Sequence, residues 1–190
     1  PKESLFEGKE DWKIVAEDLG ILDEGVYRLM RNVGYPRMKV LEFAFDGNPD
    51  QEFKPSNYDS DNCVVYTGTH DNATFIEFLQ DLDEETRETV YCDIASECKK
   101  ANKRFFYRPS QLADAETMQR AREATVRLAY GSYAKYAILP LQDLLGTGAE
   151  SRMNTPGTLS DRNWSWRCEA ADLSNTLADK LARMVKQANR

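Results

Sequence analysis

The sequence has one histidine, no C-x-x-C pair and no excess of basic residues. Its 25 Lys and Arg residues face 32 Asp and Glu residues, giving a net charge of -7, and no basic cluster stands out. Binding to nucleic-acid phosphates is therefore not expected. No apolar run is long enough to cross a bilayer, and no signal-peptide pattern opens the chain. We expect a cytoplasmic protein with neither a nucleic acid nor a membrane as its partner.

Metal and cofactor motifs are also missing. The sole histidine, His70, lies far in sequence from three of the four cysteines, which are Cys63, Cys92, Cys98 and Cys168. We therefore expect no metal site and no disulfides, but reduced thiols in the core. Gly146 and Gly148 lack the further residues of a phosphate-binding loop, so no nucleotide cofactor is expected.

Apolar segments along the chain alternate between strand-like and helical patterns. Short apolar runs predict strands at residues 12–16, 39–45, 63–66 and 137–141. Residues 46–62, rich in Asp, Asn, Pro and Ser, are predicted to form a long loop. Strands that alternate with helices indicate a parallel sheet covered by helices. The pattern fits both a doubly wound sheet and a section of a (β/α) barrel.

Helix boundaries are marked by capping residues. Asp23 is the predicted N-cap of a helix that ends near Gly34, and Thr74 with Glu77 has the form of a capping box. Two further amphipathic helices follow, and a closing helix carries an apolar face that starts at Leu173 and ends at Met184.

Polar pairs follow three of the predicted strands, at Glu17-Asp18, His70-Asp71 and Gln142-Asp143. Active sites form at this edge in barrels and in open α/β sheets. Two carboxylates at such an edge suit cleavage of a glycosidic bond, since one acid protonates the leaving oxygen and the other stabilises an oxocarbenium-like centre. Glu17 and Asp71 are the candidates. Helix caps or a structural turn are the alternative reading of the same residues.

A later stretch combines polar and aromatic residues, at 152–157 and 163–167. The faces of Trp164 and Trp166 are suited to stacking on sugar rings, but both side chains fit equally a role as anchors in the core.

Five ordered segments resemble one family, the 4-α-glucanotransferases of the amylomaltase type, which are relatives of the α-amylase clan. Among them are Ala-Glu-Asp-Leu-Gly at 16–20 and Thr-His-Asp-Asn at 69–72. The complete set covers residues 14–20, 36–45, 66–72, 140–146 and 152–158, the last followed by 163–167.

The resemblance implies an α/β fold, the C-terminal half of a (β/α)8 TIM-type barrel, with about four parallel strands and covering helices in one unit, residues 1–190. It implies that Glu17 is the general acid/base and that Asp71 stabilises the transition state. The residues implied to bind substrate are His70, Asn72, Asp18, Arg152, Asn154 and Pro156. The implied reaction, without cofactor, transfers a segment of a 1,4-α-D-glucan to the 4-hydroxyl of an acceptor with retention, in starch and maltodextrin metabolism.

The chain departs from the family in one main respect: it contains no match to the R-x-D-H-F type motif that carries the nucleophile. Ala73 also stands where relatives often have an acidic residue. We therefore expect a fragment of a longer enzyme, inactive by itself, that self-associates through open strand edges. A non-catalytic α-glucan-binding module and an α-glucan hydrolase are the alternatives.

Overall fold

A short parallel sheet organises residues 14–190, the part of the chain that the computed structural model describes. Its strands lie in the order β1 (Arg37–Val40), β2 (Cys63–Tyr66) and β3 (Tyr136–Ala137). Both strand pairs are parallel. Parallel neighbours require crossover connections, so the carboxyl ends of all three strands meet at one edge.

Helices fill the connections and the ends of this part of the chain. Helix α1 (Glu24–Val33) precedes β1. Three helices lie between β2 and β3, namely α2 (Phe75–Asp81), α3 (Glu84–Lys100) and α4 (Ala115–Gly131). After β3 come α5 (Leu141–Leu145) and α6 (Asn175–Gln187). Short 3-10 turns occur at Leu41–Phe43, Pro55–Asn57, Pro109–Gln111 and Ala149–Ser151.

The predicted boundaries of α1 and the predicted start of α2 are confirmed. The Asp23 carboxylate accepts a hydrogen bond from Val26 N at 3.0 Å, and Gly34 ends α1 with φ of 68°, a left-handed conformation that favours glycine. At the start of α2, Thr74 and Glu77 form a reciprocal capping box. The start of α2 is thereby fixed directly after the Thr-His-Asp-Asn segment.

The hydrophobic core lies on the face of the sheet that α2, α3 and α4 cover. Val65, Leu79, Tyr91, Ile94 and Leu128 are at most 1% exposed and belong to this core. Side chains alternate along a strand. Val64 therefore faces the other side of the sheet, where it is also fully buried.

The structure corrects three predicted strands. The first was predicted at residues 12–16, of which 12 and 13 lie outside the described part. Ile14–Ala16 are irregular, although Ala16 N donates to Pro36 O at 2.9 Å. The second ends at Val40, because the apolar run continues as a 3-10 turn with Ala44 N bonded to Leu41 O. The fourth consists only of β3, since the chain turns into α5 after Pro140. Residues 14–190 thus contain three strands; the first of the four predicted strands falls partly outside these residues.

The closing helix is also shorter than predicted. It starts at Asn175 with Ser174 as its N-cap, so that Leu173 lies outside it and is exposed. Within residues 14–190, the structure has no helix with the length and apolar character needed to span a membrane.

Replacing Thr74 with Ala should lower the free energy of unfolding by about 1 kcal/mol, because it removes the side-chain oxygen that caps α2. Chemical denaturation measures this change. Thr176→Ala in α6 is the matched control, since Thr176 is exposed and is not the N-cap of its helix, and alanine suits a helix. Equal stability of the Thr74→Ala protein and the parent would contradict a contribution from the capping box.

Candidate active site

A cleft of about 680 Å³ opens at the carboxyl edge of the sheet. Segments that follow each strand line it: Phe43 after β1, residues 68–74 after β2, and residues 138–140 after β3. The segment before α1 and the loop after α5 contribute the remaining walls. Parallel strands thus bring side chains that are distant in sequence into one concave site.

Six of the eight predicted site residues line this cleft: Glu17, His70, Asp71, Asn72, Arg152 and Pro156. Glu17 and Asp71 are both exposed to solvent there. The two candidate carboxylates therefore share a cleft, as the sequence pattern requires. The other two predicted residues, Asp18 and Asn154, are not part of the lining.

Asp71 is oriented by neighbours from a distant loop. Asn154 Nδ2 donates to Asp71 Oδ1 at 2.6 Å, and Arg152 donates to the Asp71 main-chain oxygen at 3.2 Å. His70 Nε2 lies 3.5 Å from the same carboxylate oxygen. With about half of its side chain exposed, Asp71 keeps a fixed position while still facing the cleft.

The turn that carries Asp71 is shaped by its own side chains. Asn72 Oδ1 accepts hydrogen bonds from Thr69 N at 2.9 Å and from Thr69 Oγ1 at 2.7 Å. Asp71 N donates to Thr69 Oγ1 at 3.3 Å. The amide oxygen of Asn72 is therefore occupied within the turn, although its side chain lines the cleft.

A buried carboxylate, Asp143 on α5, holds both ends of this segment. The hydroxyl of Thr67, directly after β2, donates to Asp143 Oδ2, and Phe75 N, at the start of α2, donates to Asp143 Oδ1 at 2.8 Å. Burial raises the pKa of Asp143, while the two hydrogen bonds and the nearby charge of Arg122 lower it. Residues 68–74 are thus anchored at both ends by one side chain.

Asp18, which the resemblance implies to bind substrate, lies outside the cleft lining and has a supporting position. Its carboxylate is buried and accepts hydrogen bonds from Arg37 Nε at 2.6 Å and Met38 N at 2.9 Å. Because both partners belong to β1, Asp18 ties its own segment to the sheet. The neighbouring Glu17 is thereby presented to the cleft.

Arg152 connects the late loop to the rest of the site. Its guanidinium donates to Glu77 Oε1 at 3.3 Å and to Asn154 O at 2.9 Å, in addition to Asp71. Glu77 was predicted only as a cap, and Asp143 only as a polar residue after a strand. The sequence pattern could not reveal these contacts. Arg152 and Glu77 are separated by 75 positions in sequence, and Thr67 and Asp143 by 76.

Trp164 stands beside the cleft rather than in the core. Its ring centroid lies 5.1 Å from that of His70, with the planes tilted by 40°, and its side chain is 54% exposed. Its backbone adopts a φ of 63°, which is uncommon for a large side chain, and Trp164 N donates to Met153 O at 2.7 Å. The alternative of a core anchor is thereby excluded for Trp164.

The cysteines are free thiols, but they are not all in the core: Cys63 and Cys98 are buried, whereas Cys92 is exposed. The prediction of core thiols is therefore wrong for Cys92. Within residues 14–190, no cluster of three or more His, Cys, Asp or Glu side chains is arranged to hold a metal ion.

The fold and the cleft define an α/β protein with two carboxylates at the carboxyl edge of a parallel sheet. A family model described as 4-alpha-glucanotransferase matches residues 3–173. The chain therefore belongs to the 4-α-glucanotransferase family.

Similar proteins are longer than this chain. The 4-alpha-glucanotransferase of Synechocystis sp. is 38% identical over 169 residues, which are 89% of this chain and 30% of that protein. The 4-alpha-glucanotransferase of Thermus thermophilus is 35% identical over 199 residues, which cover 100% of this chain and 36% of that protein. The amylomaltase from Streptococcus agalactiae, solved in complex with acarbose, superimposes with a TM-score of 0.78 at 30% identity, covering 98% of this chain and 34% of that one. The chain spans about a third of the length of these relatives.

Replacing Asp143 with Ala should lower the free energy of unfolding by about 3 kcal/mol, because the buried donors Phe75 N and Thr67 Oγ1 lose their acceptor. Asp143→Asn should lose clearly less. Its amide oxygen still accepts from Phe75 N, and its NH2 group donates to the Thr67 oxygen. Denaturant titration of both variants checks the order, and an equal loss for Ala and Asn would argue against the anchoring role.

Proposed function

We propose that this chain supplies the acid/base and the transition-state stabiliser of a 4-α-glucanotransferase. The observation that carries the proposal is that Glu17 and Asp71 line one cleft at the carboxyl edge of the sheet in a chain of this family. The substrate is a 1,4-α-glucan or maltooligosaccharide, and the acceptor is the 4-hydroxyl of a glucose or glucan.

In the first step, Glu17 donates a proton to the glycosidic oxygen while a carboxylate nucleophile attacks the anomeric carbon. A covalent glycosyl-enzyme and a free 4-hydroxyl product result. In the second step, ionised Glu17 accepts the proton of the acceptor hydroxyl, whose oxygen attacks the anomeric carbon and releases the nucleophile. Asp71 lowers the free energy of the positively charged centre in both transition states, because its negative charge faces the cleft.

The nucleophile comes from a part of the enzyme outside this chain, so that the chain alone is inactive. We take the three-stranded sheet as a section of a (β/α)8 barrel. Two features support this: strands that neighbour each other in sequence are also neighbours in space, and the cleft lies at their carboxyl ends. The similarity to an amylomaltase over 34% of that chain agrees with it.

Substrate contacts fall to the polar side chains around Asp71. His70, Asn72 and Arg152 line the cleft next to the proposed point of cleavage, and Pro156 borders the same space. Asn154 acts by orienting Asp71, and Asp18 by fixing the segment of Glu17. Hydroxyl groups of the sugar are the partners that these donors and acceptors suit.

Two further expectations stay predictions. In residues 14–190, β1 and β3 each pair only with β2, which leaves the outer edge of each without a strand partner and supports self-association of the isolated chain. A cytoplasmic location is the other.

Replacing Glu17 with Gln, or Asp71 with Asn, should lower the disproportionation rate of the full-length enzyme by about a thousandfold, because each change removes one group that acts in the transition state. Maltotriose is the substrate, and glucose together with longer maltooligosaccharides is the readout. Glu24→Gln and Asp50→Asn are matched controls at exposed positions outside the cleft and should leave the rate unchanged.

If the Asp71→Asn enzyme keeps the disproportionation rate of the parent, Asp71 has no role in the reaction. The products of this assay, together with calorimetry on maltooligosaccharides, separate the alternatives. Release of glucose and maltose without longer products would identify a hydrolase, and binding of maltooligosaccharides without turnover would identify a non-catalytic binding module.

Trp164→Ala should raise the KM for maltooligosaccharides about tenfold with little change in kcat, because it removes an exposed aromatic face beside His70. Trp164→Phe retains an aromatic face, so its KM should lie between those of the parent and of Trp164→Ala. Steady-state kinetics on substrates of increasing length measures the effect. An unchanged KM at every length would show that the sugar does not reach this ring.

A further inference from the structure

Glu42 is a carboxylic acid beneath the floor of the cleft. It lies in the 3-10 turn after β1, where Glu42 N donates to Thr67 O at 3.1 Å. Among the residues that the structure describes, its Oε2 is a buried oxygen without a hydrogen-bond partner. A negative charge on a buried oxygen that lacks a donor is unfavourable, whereas a neutral acid tolerates the same position far better.

The acid lies directly against the turn that carries His70 and Asp71. A Cβ atom built on Gly68 would lie 3.2 Å from Glu42 Oε2 and 3.3 Å from Asn72 Cβ. Gly68 has no positive φ, so the space taken by Glu42 and Asn72 is the reason that glycine fits there. The Glu42 carboxyl and the start of the turn are therefore in close contact.

The charges around Glu42 are mostly of its own sign. The pKa of Glu42 is raised to about 8. Burial is the main cause and the charges of Asp143 and Glu77 add to it, while the charge of Arg152 and a side-chain hydrogen bond from Asn72 act in the opposite direction. Arg152 is already engaged with Glu77 and with the main chain of Asp71. An ionised Glu42 would add a further carboxylate to this group next to a guanidinium that is already engaged.

We propose that Glu42 is a positioning residue of the transfer site, which, kept protonated beneath residues 68–72, holds the turn with His70 and Asp71 in the geometry that binds the sugar. This role rests on the proposed function. When Glu42 ionises, repulsion from Asp143 and Glu77 and the demand for a donor displace the turn. Sugar affinity then falls at alkaline pH although Glu42 does not touch the sugar.

The test measures the affinity for maltotetraose by calorimetry between about pH 6.5 and pH 9.5, on the full-length enzyme carrying Glu17→Gln. That background slows turnover about a thousandfold and removes the ionisable group of residue 17. The affinity should fall about tenfold across this range with Glu42 present, and less than about twofold when Glu42→Gln is added, since Gln cannot ionise. Glu24→Gln, an exposed acid on α1, is the control and should leave the fall unchanged.

Thermal unfolding gives a second readout that needs no substrate. The folded enzyme keeps the Glu42 proton up to about pH 8, whereas the unfolded chain releases it near its ordinary pKa of about 4.5, so that the proton-linked destabilisation grows between these values. The Glu42→Gln protein should therefore exceed the parent in Tm by a margin that widens from about pH 5 to about pH 8 and is constant above that.

The outcomes separate the two proposals. Parallel affinity curves with and without Glu42→Gln, in a protein that binds maltotetraose, would overturn the role of Glu42 and leave the proposed function intact. A Tm margin that does not change with pH would likewise overturn it. If the parent neither binds maltotetraose nor disproportionates maltotriose, the proposed function fails, and the positioning role fails with it.

Discussion

The site depends on the pair of hydrogen bonds that Asp143 accepts from the two ends of one segment. Thr67 follows β2 directly and Phe75 begins α2, and the residues between them that line the cleft are held at these two points. Withdrawing a carboxylate from water is costly unless donors replace the lost hydration. Here one donor is a main-chain N–H at the start of a helix, where orphan donors and the helix dipole favour a negative charge. Because buried Asp143 requires these two donors, it holds both ends of the segment and thereby the position of Asp71.

The second constraint comes from the far end of the chain. Arg152 and Asn154 reach Asp71 across 81 and 83 residues, from a loop with little regular structure. The loop is held in turn by Arg152 on Glu77, which also caps α2. The capping box, the loop and the turn that carries Asp71 are therefore one network of hydrogen bonds, and we expect a change in any of them to affect the carboxylate of Asp71.

Local signals in the sequence predicted most of the frame. The caps of α1 and α2 are chemically specific over three or four residues, and the polar residues after the strands indicated the edge that holds the cleft. Strand lengths were predicted less well, because an apolar run such as residues 40–45 has the same composition in a strand as in a 3-10 turn. The local pattern indicated Glu17 and Asp71 as a candidate pair of acids, and the family resemblance supplied the specific role proposed for each. The roles of Asp143 and Glu42 could not be predicted, since they depend on contacts that are made only in the folded chain.

These contacts explain how an acidic protein accommodates several carboxyl groups near one guanidinium. Asp71 is solvated, and Asp143 is stabilised by two donors. Glu77 accepts hydrogen bonds from Arg152 and, in the capping box, from Thr74 N. Glu42 has none of these compensations at its Oε2, and a bound proton is the simplest way to remove its charge. The sugar that the cleft is proposed to bind is neutral, so a negative charge is needed only where the proposed transition state becomes positive, beside Asp71. Burial and hydrogen bonding therefore act on each carboxyl group separately, and they raise the pKa most clearly where the group is buried with few donors, as at Glu42.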